Sequence, residues 1–236
     1  MKILAAFLLL PSLVCQAQPE MTMGYPYKFD RNKALLEYAH LYKSAFHDAG
    51  YKLVPKPVAT KSTYEMLIAG EVDSIAYDDL AETAGRENVV STSFPIARTQ
   101  AHVFHARRNP VDTKKLGQHR GALLYNNRLV VQYAKKMNLK FKEASSPYHC
   151  IQMVLDKVAD YCIALKEVGM SSVEAIPDAQ RNIIMNEKPI LEIPVYVSFR
   201  KSFRKELPKI EAALKKHLSG NLSQYPLIKE NLNKDP

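Results

Sequence analysis

The sequence predicts an α/β protein of two similar lobes, each a mainly parallel sheet flanked by helices. Three observations predict it. First, one phrase occurs twice: residues 65–73 read EMLIAGEVD and residues 152–160 read QMVLDKVAD. Met66 aligns with Met153 and Asp73 with Asp160 without a gap. In each copy an apolar stripe at helical spacing ends, an Asp marks a turn, and a short hydrophobic strand begins. Second, strand-like and helix-like segments alternate along the whole chain, the pattern of parallel sheets covered by helices. Third, the 236 residues suffice for two small domains, each with its own core.

The elements follow in order. Lys2 and the apolar run 3–14, followed by Cys15-Gln16-Ala17, have the layout of a cleavable secretory leader over residues 1–17. The run is too short to span a bilayer, and no later stretch reaches the ~20 apolar residues that a spanning helix needs. Lipidation at Cys15 is the rival reading, disfavoured by the branched Val14 in front of it. Residues 21–25 form a first strand stopped by Pro26. Residues 31–49 form a helix with Leu35, Ala39, Tyr42 and Phe46 on one stripe and Gly50 as its stop. Strand 51–57, the first repeated helix 63–69 and strand 74–77 complete one βαβ series. A short helix is expected at 79–85, then a strand at 99–106.

The second series opens at residues 111–121, VDTKKLGQHRG, leading into an apolar strand. Asn126 or Asn127 caps a helix over 128–137. Strand 140–143, the second repeated helix 147–157 and strand 161–165 follow. Residues 168–175 read as helix, while 183–185 and 190–199 read as extended, with Pro194 interrupting the latter. Helix 203–218 and a short amphipathic tail to Leu232 close the chain.

The net charge is +9, with Lys and Arg scattered at helical or helix-end spacing, as at Lys135-Lys136, Lys201, Arg204-Lys205 and Lys215-Lys216. That is the pattern of solvated faces, and no nucleic-acid partner is expected. Cys150 and Cys162 remain once the leader is removed. A helix running to Asp160 would rise about 15 Å from Cys150, of which two strand residues recover about 7 Å. A disulfide needs Cα atoms within about 7 Å, so free buried thiols are the expectation.

In order and spacing the chain resembles the periplasmic solute-binding proteins of the type II fold, in particular the amino-acid-binding family of ABC transporters. Three phrases carry the resemblance: the AGEVD turn at residues 69–73, the approach to the second lobe at 113–122, and the break and return strand at 195–200 ahead of a C-terminal helix. It covers the mature chain. It implies two lobes joined by two strand crossings, near residues 103–107 and 191–195, with a solute held between them and hinge closure around it. The first lobe would comprise residues 18–104 and 193–236, the second 105–192.

Parallel sheets bind ligands beyond the carboxyl ends of their strands. Asp73 and Asp160 stand at amino ends and are expected to be structural. The carboxyl ends present Tyr25, Tyr27, Tyr77, Asp78 and Asp79 in the first lobe. Tyr125, Asn126, Asn127, Ser145, Ser146, Lys166 and Glu167 occupy the same positions in the second. The resemblance places Arg86 where the family pairs an Arg with an amino acid's carboxylate. It places Glu167 where the family holds an acid for the ligand's amino group. Asp78-Asp79 departs from the family's Ser/Thr pair and leaves the ligand open. Plain capping explains Asn126 and Asn127 equally well, and a solvated loop Arg explains Arg86 equally well.

No nucleophile motif, phosphate loop or metal-ligand spacing occurs. His102 and His105 would point to opposite faces of a strand. The expectation is an exported, periplasmic, monomeric binding protein without cofactor, metal or catalytic residues. It would take a small polar solute, an amino acid or a relative, for an ABC-type uptake system. A membrane permease or a sensor protein would be its partner. The alternatives are a sensory ligand-binding module and a cyclohexadienyl-dehydratase-like enzyme with Glu167 as general acid.

Overall fold

The structure is a computed structural model that describes residues 17–26, 33–58, 63–81, 83–124 and 127–232. The leader expected at 1–17 lies almost wholly outside them. The first lobe is built from β1 (Glu20–Pro26), α1 (Lys33–Asp48), β2 (Lys52–Val58), α2 (Thr63–Ala69), β3 (Ser74–Asp78) and β4 (Val89–Ser91). The second holds β5 (Ala97–Ala106), β6 (Arg120–Leu124), α3 (Arg128–Lys136), β7 (Lys140–Ala144), α4 (Pro147–Leu155), β8 (Tyr161–Leu165), α5 (Lys166–Ala175), α6 (Pro177–Asn182) and β9 (Ile183–Met185). A long strand β10 (Leu191–Arg200) returns the chain to the first lobe, where α7 (Leu207–Leu218) and α8 (Pro226–Leu232) close it.

Among the described residues the strands form one continuous ten-stranded sheet in the order β2-β1-β3-β10-β5-β8-β6-β7, with β4 on β10 and β9 on β5. Each lobe keeps a parallel set, β2-β1-β3 and β8-β6-β7. The strands that join them, β5 and β10, run antiparallel to their neighbours. Leu191 to Val195 of β10 pair with β5, whereas Tyr196 to Arg200 pair with β3 and β4. One strand thus serves both sheets, and its partners change at Val195–Tyr196. On the outgoing chain, β5 pairs with β10, β8 and β9 from Ala97 onward. Its first residue, Ala97, still packs in the first-lobe core beside Ile96 and Val195.

The two copies of the repeated phrase fold alike. In α2 the Gly70 N–H returns to the Leu67 carbonyl at 3.2 Å and the Glu71 N–H to the Met66 carbonyl at 2.9 Å. In α4 the Lys157 N–H returns to Val154 at 3.2 Å and the Val158 N–H to Met153 at 2.9 Å. These paired bonds satisfy the last carbonyls of each helix and require a left-handed residue, Gly70 at φ 75° and Lys157 at φ 59°. The aligned methionines supply the same closing carbonyl in each lobe.

That turn corrects the expectation of free thiols. Helix α4 ends at Leu155 rather than running on toward Asp160, and the chain doubles back into β8. Cys150 and Cys162 meet with their Cα atoms 5.7 Å apart and form a disulfide in the core. The described residues of the segment 79–85 are bend and turn rather than helix, with Leu80 at φ 63° and Gly85 at φ 73°.

Each lobe packs apolar side chains on both sheet faces. In the first, Met21 and Met23 of β1, Phe46 of α1, Phe199 of β10 and Leu214 of α7 are fully buried together. Phe46 stacks on Phe199 with ring centroids 6.0 Å apart. Side chains of this size stabilise by about 1.5–3 kcal/mol each when removed from water. The opposite face holds Val58, Leu67, Val72 and Ile75. In the second lobe α4, α5 and α6 cover one face and α3 the other.

Candidate functional site

The carboxyl ends of β3, β6, β7 and β8 define the candidate site, and the structure distributes the expected residues unevenly around it. Tyr25 and Tyr77 turn inward. With Tyr38 and Tyr42 they form a cluster beneath α1, with neighbouring centroids 5.9–6.4 Å apart. Tyr77 donates its hydroxyl to the Leu35 carbonyl at 3.2 Å, and Tyr42 donates to Ala76 at 3.0 Å. Burial pushes the Tyr25, Tyr42 and Tyr77 hydroxyls well up, so they remain protonated. These rings build lobe one and give its β3 edge a rigid backing. Tyr27, Tyr125 and Asn126 lie outside the described residues.

Asp78 is 7% exposed and faces the protein. One carboxylate oxygen accepts hydrogen bonds from the hydroxyls of Thr83 and Ser198, and the other accepts the Leu80 N–H at 2.9 Å. Ser198 also lies 2.7 Å from Ser91. The network ties β3, β10, β4 and the following loop into one unit. A buried carboxylate needs such donors, and here they come from the chain itself. Of the acidic pair, Asp79 is therefore the one left at the edge. It caps its own turn by accepting the Ala81 N–H at 2.9 Å. Burial first, then the charge on Asp78, raises its carboxyl above the usual carboxylate range, while the Ala81 bond and the charge on Arg128 oppose the rise.

Arg128 begins α3 in the second lobe, and its charge is the weakest of the influences on Asp79. Arg128 was not among the residues singled out from sequence. Its signal was its place in the first turn after the Asn126-Asn127 cap. Asn127 does cap α3, accepting the Val130 N–H at 3.2 Å. Arg86 is exposed on the loop after Asp79, with its guanidinium 5.5 Å from the centre of the Tyr64 ring.

Ser145, at the end of β7, donates its backbone N–H to His149 Nδ1 at 3.3 Å and has its hydroxyl 3.1 Å from the same atom. Ser146 caps α4 by accepting the His149 N–H at 3.0 Å. Glu167 accepts the Thr99 hydroxyl at 3.2 Å, just beyond the last β5–β8 pair, Ala101 with Leu165. Gly169 seats α5 against the ring of Phe104, where a Cβ would find no room, and so fixes the turn carrying Glu167. Thr99 is a second site neighbour that sequence reasoning passed over. Among the described residues no group of three or more His, Cys, Asp or Glu side chains is placed to hold a metal. No described helix is long and apolar enough to cross a membrane.

Neither a protein-family pattern nor a curated protein sequence matches the chain. Solved structures do resemble it. A histidine kinase sensor domain with similarity to periplasmic binding proteins superposes with a TM-score of 0.66 at 12% identity, covering 92% of this chain and 96% of that one. An ancestral arginine-binding protein bound to arginine gives 0.67 at 16%, covering 93% and 99%. The substrate-binding protein of an amino acid ABC transporter gives 0.63 at 17%, covering 91% and 98%. The chain has the two-lobed type II periplasmic-binding-protein fold.

Proposed function

We propose that this chain is an exported binding module that holds a small polar solute between its lobes and releases it unaltered. The observation that carries this is the two-lobed fold with an acid, Asp79, just past the carboxyl end of β3 in the first sheet and a base, Arg128, opening the helix that follows β6 in the second. Opposite charges set on opposing lobes suit a solute that carries both signs, an amino acid or a relative, with its ammonium toward Asp79 and its carboxylate toward Arg128 or Arg86. Internal engagement of Asp78 leaves one carboxylate rather than two to balance there. Glu167, held by Thr99, offers a second acceptor for an ammonium group.

Delivery to an ABC-type permease is the proposed use, supported by the likeness to a transporter's substrate-binding protein. A sensory role is the second reading, favoured by the likeness to a histidine kinase sensor domain. A thermal-shift screen of amino acids, polyamines and small organic acids tests the binding proposal, with each hit analysed by mass spectrometry. A solute that raises the melting midpoint and is recovered intact supports it. Conversion of the solute would instead establish an enzyme, and a broad screen without any shift would overturn the proposal.

A further inference from the structure

The edge of the second lobe remote from the cleft carries a surface that solute binding does not use. Lys140 and Arg120 are Cα partners at the amino ends of β7 and β6. The Asp160 N–H donates to the Arg120 carbonyl at 2.7 Å, and the Arg120 guanidinium donates to the Lys157 carbonyl at 3.2 Å. Neighbouring strands lie about 4.8 Å apart, so Lys140, Arg120 and Lys157 form a basic row. Lys135 and Lys136 end α3 directly beside it, because the turn into β7 returns the Asn138 N–H to the Lys135 carbonyl at 3.1 Å. All five are exposed.

Asp160 is taken up by Arg120. Among the described residues Lys135, Lys136, Lys140 and Lys157 enter no ion pair. Two apolar side chains stand among these lysines at the tips of the two turns, Met137 at 53% exposure and Val158 at 36%. Each adjoins a lysine in sequence and shares its turn with a left-handed residue, Asn138 or Lys157. Unpaired lysines with shallow apolar tips between them match an anionic lipid surface. Ammonium groups there meet headgroup phosphates, and the apolar tips enter the boundary with the acyl chains.

We propose that this edge docks the second lobe on an anionic bilayer surface, with Met137 and Val158 entering the headgroup layer and the cleft edge turned away. The test uses the chain from Gln18 onward, which contains every element from β1 to α8, in co-sedimentation with phosphatidylcholine vesicles with and without phosphatidylglycerol. Binding is expected only to the anionic vesicles, and it should weaken as salt rises. Reversing Lys135, Lys136 and Lys140 to Glu should weaken it by roughly 100-fold, and Met137→Ser with Val158→Ser by about 10-fold.

The charge-matched control reverses Lys201, Arg204 and Lys205 on the first lobe. An equal loss there would show that net charge alone attracts the chain and would overturn the proposal. So would equal binding to neutral vesicles, no binding at low salt, or a lysine-reversed protein that melts normally and binds undiminished. Solute binding in the cleft is read separately by thermal shift, so failure of either proposal leaves the other standing.

Discussion

Asp160 holds Arg120 twice, accepting its backbone N–H at 2.8 Å and its guanidinium at 2.9 Å. Asp73 does the same in the first lobe, accepting the Thr22 N–H and the Thr22 hydroxyl, each at 2.8 Å. It also takes the guanidinium of Arg200. In both lobes the repeated Asp fastens the amino end of one parallel strand to its neighbour. The aligned acids are joints of the sheet, at the edge opposite the candidate site.

Replacing Asp73 with Ala should cost about 1–3 kcal/mol, because the Thr22 and Arg200 donors lose their acceptor at a half-buried site. Urea denaturation at neutral pH measures it. An unchanged midpoint would make the joint dispensable.

Both joints carry a pH dependence of fixed sign. Burial alone would raise the Asp73 carboxyl, but the Thr22 and Arg200 hydrogen bonds outweigh it, and the carboxyl lies below its ordinary value. At Asp160 the Arg120 hydrogen bond leads and the result is again lowered. A carboxyl depressed in the folded state contributes stability above its unfolded pKa of about 4, and that stability is lost as pH falls through the folded value. The stability gap between wild type and the Asp73→Asn/Asp160→Asn protein should be wide at pH 7 and shrink below pH ~4. A gap that does not change with pH contradicts the assignment.

Lys157 occupies the left-handed position that Gly70 fills in the matching turn. Lys157→Gly removes the Cβ strain of that position and should stabilise the protein by roughly 0.5–1 kcal/mol. Calorimetry reads this as a melting midpoint a few degrees higher. A lower midpoint would show that the lysine side chain holds the turn in another way.

Reduction of the Cys150–Cys162 disulfide releases a short loop whose closure is worth about 3 kcal/mol. In a chain of this size the melting midpoint should fall by roughly 6–12 °C. The Cys150→Ala/Cys162→Ala protein should melt low without responding to reductant. An equal response to reductant in that variant would assign the effect elsewhere.

Much of the fold was legible in the sequence, because hydrophobic period and turn chemistry are local. Helix α2 and strands β8 and β9 have the expected bounds, and the stripe of Ala39, Tyr42 and Phe46 is buried as its spacing requires. What was not legible depended on where the chain goes next. The disulfide was missed because a left-handed lysine ended α4 early, and Lys carries no signal for that conformation. Tyr25, Tyr77 and Asp78 stand at the strand ends named in advance, but their side chains turn into the lobe. For Tyr77 and Asp78 that choice is set by Leu35, Thr83 and Ser198, which are distant in sequence or carry no pattern of their own. Arg128 carried no motif of its own, and its charge bears on Asp79 only through the fold that brings the two lobes together.

Asp79→Asn and Arg128→Ala should each weaken binding of a screened solute by about 10-fold or more, since a charge-assisted hydrogen bond is worth about 1.5–3 kcal/mol. Arg86→Ala should do so only if its guanidinium leaves the Tyr64 ring for the ligand's carboxylate. Titration calorimetry of the three variants distinguishes the contributions. Undiminished affinity in both Asp79→Asn and Arg128→Ala would remove the charge pair from the site.

The most direct measurement is the distance between the lobes with and without solute, from spin labels at Glu87→Cys and Lys142→Cys. Hinge closure around a solute predicts a shorter, narrower distance distribution at saturation, and the solute recovered intact. A bound solute that leaves the distribution unchanged, or that is recovered chemically altered, would contradict a cleft that closes on its ligand and lets it go.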